Sequence, residues 1–109
     1  MDVNKYTYQV SWLEEDQEYV ATVAEFPSLS WLEPNPQQAI QGLLRLVTEI
    51  IGGMETSGEQ IPEPLGARRY SGKFNVRTSP SLHRRLVIEA KAEGVSLNTL
   101  VNQKLAAGA

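Results

Sequence analysis

The chain has no cysteine and a single histidine, His83. A disulfide framework and thiol chemistry are therefore excluded, and no second histidine exists to complete a dyad. Long apolar runs are also missing. The richest stretch, Ala39 to Ile51, is interrupted by Gln41, Arg45 and Glu49 and is too short to span a bilayer. Residues 1 to 20 mix Asp2, Lys5, Gln9 and three consecutive acids where a secretory signal would need an apolar core. A cytoplasmic protein is the expectation. No spaced acidic loop with a pivoting glycine is present, so neither a metal nor another cofactor is expected. Ser28 and Ser30 lack a base, and Glu14, Glu15 and Asp16 lack the apolar surroundings that would shift a carboxyl pKa for acid-base work. No enzyme is expected.

What is present is a split of charge. The net charge of -3 over 109 residues conceals two bases, Lys5 and Arg45, against eleven acids up to residue 64, which is -9. From residue 65 onward eight bases face only Glu89 and Glu93, which is +6. A basic half can approach a phosphate backbone, whereas an acidic half is repelled by nucleic acid and suits a basic protein.

Tyr6, Tyr8, Val10 and Trp12 alternate with polar residues, the period of a half-buried strand. Acids at 14 to 18 break that pattern, and Tyr19 to Val23 resume it, which predicts a hairpin with an acidic tip. Leu29 to Leu32 can add a third strand before Pro34 and Pro36 stop it. Asn35 is a candidate N-cap, and apolar residues from Ala39 to Ile51 recur at helical spacing until Gly52-Gly53, where the helix is expected to end. A last short strand is expected near Gln60-Ile61. The fold class is thus α+β, β-β-β-α(-β) over residues 1 to 57. A proline- and glycine-containing linker is expected over 58 to 71, and a second domain over 72 to 109.

In that second domain, Lys73-Phe74-Asn75-Val76-Arg77 reads as a strand with Phe74 and Val76 on one face and Lys73, Asn75 and Arg77 on the other. No second strand follows. Ser79-Pro80 opens one helix, Gly94 closes it, and Ser96 caps a second one carrying Leu97, Leu100, Val101 and Leu105. One strand and two short helices cannot enclose a core within one copy. The expected solution is a homodimer whose two strands pair antiparallel across a two-fold axis, with a tetramer left open. Such a ribbon fits the major groove of DNA. Lys73 and Arg77 suit guanine and Asn75 suits adenine, each good bidentate pair contributing roughly 1 to 3 kcal/mol of discrimination. The helix start at Ser96, Leu97, Asn98 and Thr99 is a candidate phosphate site, with Arg68 and Arg69 as further phosphate contacts.

The strand, helix, Gly94-Val95-Ser96-Leu97-Asn98 turn and helix resemble the ribbon-helix-helix repressors of the Arc and MetJ type. With the preceding strand-strand-helix unit, the chain is similar to HicB antitoxins that carry a ribbon-helix-helix domain. The resemblance implies an antitoxin of a type II toxin-antitoxin pair. Its N-terminal domain would cover a basic, mRNA-cleaving toxin of the HicA kind, and its C-terminal domain would repress the operon. Candidate toxin contacts are Glu14, Glu15, Asp16, Glu18 and Glu25, with Trp31 as an apolar anchor. The alternative is an autonomous repressor whose N-terminal domain senses a ligand or mediates assembly.

Overall fold

The structure is a computed structural model that describes residues 2 to 109. The chain divides into two units, Met1–Tyr70 and Ser71–Ala109. In the first, strands β1 (Tyr8–Leu13), β2 (Glu18–Val23) and β3 (Ser30–Glu33) form one antiparallel sheet in the order β1-β2-β3. Tyr8 pairs with Val23 and Trp12 with Tyr19, and Tyr19 pairs in turn with Glu33. The acidic hairpin forms where the alternation of apolar and polar residues predicts it. Gln17 takes a left-handed conformation in its turn, φ 53°, and its amide donates to the Glu14 carbonyl at 2.8 Å.

Helix α1 (Pro36–Ser57) crosses one sheet face. Its N-cap is Asn35, whose side-chain oxygen accepts from the backbone N–H of Gln37 at 2.8 Å. Ala39, Leu43, Val47 and Ile51 lie on one stripe and meet Ala21 and Val23 of β2 together with Tyr6 and Phe26, whose rings pack edge to face at 5.3 Å. Gly42 is where Trp31 of β3 presses on the helix. A Cβ at that position would stand 2.1 Å from the indole nitrogen, so only glycine lets sheet and helix approach so closely.

Three expectations are corrected. The helix does not stop at Gly52-Gly53 but runs on to Ser57, ending at Gly58, whose φ of 74° is the left-handed conformation that favours glycine. Ile51 is buried and Met54 packs against the core, and burial of two large side chains outweighs the roughly 1 kcal/mol per residue that glycine costs inside a helix. No strand forms at Gln60-Ile61. Pro62 and Pro64 supply no ladder donor, and Ile61 instead packs on the core as an irregular segment. Finally, much of the stretch 58 to 71 is not a free connector. The Tyr6 hydroxyl donates to the Pro62 carbonyl at 2.7 Å, Pro64 is buried, and the Leu65 N–H is bound by Glu25, so the first unit continues through Tyr70.

The second unit contains α2 (Pro80–Glu93) and α3 (Leu97–Ala107). Ser79 caps α2 through the Leu82 N–H at 3.2 Å, Gly94 closes it, and Ser96 caps α3 through the Thr99 N–H at 3.0 Å. Lys104 and Glu89 bridge the two helices at 3.1 Å. Residues 73 to 77 carry no sheet ladder among the described residues, and all of them are exposed.

Candidate nucleic-acid and partner surfaces

In the second unit only Ala90 and Leu100 are fully buried. Two helices of 14 and 11 residues meet along one seam and leave their other apolar side chains uncovered. Phe74 is 75% exposed and Val76 68%. Beside them lies an open groove of about 810 Å³, walled by Leu82, Leu86, Leu97, Val101 and Leu105. Soluble monomers seldom leave a contiguous surface of this kind uncovered. Lys73, Asn75 and Arg77 are exposed, and the Lys73 N–H is tied to the Ser71 hydroxyl at 3.1 Å. The Lys73 carbonyl accepts from the Ser71 hydroxyl at 3.4 Å, and the backbone groups of residues 74 to 77 have no hydrogen-bond partner among the described residues, which leaves them free to pair with another strand.

At the start of α3, Ser96 Oγ accepts from Thr99 N–H and donates to the Thr99 hydroxyl at 2.8 Å. Leu97 turns its side chain into the apolar groove, so it offers a phosphate only its backbone N–H, whereas Asn98 in the exposed first turn has both its backbone N–H and its side-chain amide to offer. Arg68 and Arg69 fall in the first unit and are exposed. The Arg68 guanidinium stands 5.7 Å from the centre of the Tyr70 ring, and the Tyr70 hydroxyl donates to the Leu65 carbonyl at 2.8 Å.

The acidic candidates separate into two groups. Glu14, Glu15, Asp16 and Glu18 cluster at the β1-β2 turn, and none of them forms an ion pair among the described residues. Glu25 is elsewhere and is structurally engaged. Its carboxylate accepts from the Thr7 N–H at 2.9 Å, the Thr7 hydroxyl at 3.1 Å and the Leu65 N–H at 2.9 Å. Burial pushes this carboxyl's pKa up, but the backbone donors of Leu65 and Thr7 and the Thr7 hydroxyl outweigh it, so the net shift is downward. Burial also raises the Tyr6 and Tyr8 hydroxyls, and the charge of Glu25 adds to both.

Trp31 is half-buried against Gly42, and its indole N–H donates to Glu33 at 3.1 Å. It serves the sheet-helix contact. The exposed tryptophan is Trp12, at 44%, packed edge to face on Tyr19 at 5.0 Å with its N–H donating to Glu14 at 2.6 Å. The sequence places Trp12 on the core-facing side of its strand, and that side is correct. Missing from the sequence is the path of α1 across the sheet, which covers β1 less than β2 and β3.

The chain thus joins an acidic α+β unit to a basic helical unit with an uncovered apolar groove. Residues 55 to 105 match the model of the HicB family. No curated protein and no solved structure matches the chain. Among the described residues no helix is long and apolar enough to cross a membrane, and no cluster of three or more histidine, cysteine or acidic side chains is placed to hold a metal ion.

Proposed function

We propose that this chain is the antitoxin of a type II toxin-antitoxin pair. Two copies pair their 73 to 77 segments as an antiparallel ribbon, burying Phe74 and Val76 over the apolar grooves. Lys73, Asn75 and Arg77 then line one face of a two-stranded element that fits the major groove of operator DNA, while the starts of the α3 helices hold flanking phosphates. The acidic first unit covers a small basic toxin of the HicA kind and denies it RNA, by occupying its active site or by repelling phosphate.

One observation carries this reading: the family match over residues 55 to 105 starts in the end of the first unit and takes in most of the second, whose apolar groove and unladdered segment 73 to 77 are left uncovered. The opposite charge of the two halves supports the division of labour. The test is co-purification with the product of the adjacent reading frame, an RNA-cleavage assay of that product with and without this protein, and a gel shift on the upstream DNA. Protection of RNA together with a specific shift is expected. A specific shift without any toxin to inhibit would instead favour the autonomous repressor, and absence of both RNA protection and a specific shift would overturn the proposal.

A further inference from the structure

The side of the sheet on which α1 packs ends, at the hairpin, in a transverse row formed by Trp12, Tyr19 and Glu33 on three successive strands. The helix reaches Tyr19, which packs on the core, but Val10 and Trp12 on the edge strand stay 36% and 44% exposed. This indole is nonetheless fixed. Tyr19 meets it at an interplanar angle of 65°, Glu14 accepts its N–H, and the Gln17 amide holds Glu14 in place at 2.8 Å to the carbonyl and 3.3 Å to the carboxylate. Glu15 and Asp16 lie in the same turn with no ion-pair partner and no side-chain hydrogen bond among the described residues, while Glu18, paired with Leu13, alternates to the opposite sheet face. A rigid, half-exposed aromatic surface bordered by unneutralised carboxylates is costly to leave in water and is complementary to one chemistry above others.

We infer that Trp12, backed by Tyr19 and bordered by Glu14, is the anchor of the partner surface and receives an arginine side chain of a basic protein. A guanidinium can lie over the indole while its N–H groups reach the carboxylate oxygens, each of which keeps a free lone pair after its present bond. Lysine would satisfy the charge but not the planar stacking. This rests on the antitoxin reading and sharpens it, since it moves the apolar anchor from Trp31, occupied by Gly42, to the other tryptophan. The opposite sheet face carries Leu32, 39% exposed and away from this row, and serves as an internal comparison.

The experiment is isothermal titration of the full-length protein with the purified basic product of the adjacent reading frame. Far-ultraviolet circular dichroism and thermal melting of each variant establish that its fold is retained. Trp12→Ala should weaken binding at least about tenfold, Trp12→Phe should recover part of that loss, and Leu32→Ala should bind as the parent does. Glu14→Gln should weaken binding and reduce its dependence on salt. Parent-like affinity of a folded Trp12→Ala, or a larger loss from Leu32→Ala, overturns the inference while leaving the antitoxin reading intact. Failure of the parent protein itself to bind overturns both.

Discussion

Replacing Phe74 by alanine probes the idea that the second unit is completed by its twin. In the single chain the ring is 75% exposed, so its removal should cost the isolated protomer almost nothing. A phenylalanine presents on the order of 200 Å² of surface, of which about 150 Å² is open here. At roughly 25 cal/mol per Å², covering that area contributes about 4 kcal/mol per protomer, and alanine retains part of it, leaving a difference of about 2 to 3 kcal/mol. A symmetric dimer contains the change twice. The expected loss is therefore about 5 kcal/mol, or some three to four orders of magnitude in the dimer dissociation constant. Sedimentation velocity from nanomolar to high micromolar concentration reads this directly, with Lys73→Ala as the control on the opposite strand face. A Phe74→Ala dimer as tight as the parent would refute the reasoning, as would a parent protein that sediments as a folded protomer at micromolar concentration.

Arg77→Ala should abolish specific operator binding in a gel shift while sedimentation shows the same oligomer, and the parent's DNA affinity should fall steeply with added salt. Glu25→Gln should destabilise the first unit by about 1 to 2 kcal/mol at neutral pH, because a charged acceptor of three donors is lost. Since the folded carboxyl titrates below its ordinary value of 4.5, its contribution is present above that pH and fades as pH falls through the lower folded value. Acid titration followed by circular dichroism should accordingly show a shallower loss of stability for Glu25→Gln than for the parent. Gly42→Ala gains about 1 kcal/mol of helix propensity but drives a methyl into the Trp31 ring, and a net loss of stability with a shifted tryptophan emission is expected; a rise in Tm would contradict the close approach described here.

Local chemistry was readable from the residues alone. The hairpin with its acidic turn, the caps at Asn35, Ser79 and Ser96, and the left-handed Gly94 depend on residues within a few positions of one another, and all five formed where the sequence places them. The two alternations in 6 to 12 and 19 to 23 likewise fixed which face of each strand meets the helix.

Tertiary structure decided whatever depended on distant partners. Gly52-Gly53 looks like a stop in isolation, and only the core contacts of Ile51 and Met54 carry the helix past it. Glu25 looks like one more surface acid until Leu65, forty positions away, is found donating to it. The roles of the two tryptophans exchange for the same reason. Period-two alternation says which way a side chain points, but the path of α1 across the sheet decides whether a helix lies above it. Trp31 on one edge strand has Gly42 over it, whereas Trp12 on the other edge strand, which α1 covers less, stays 44% exposed.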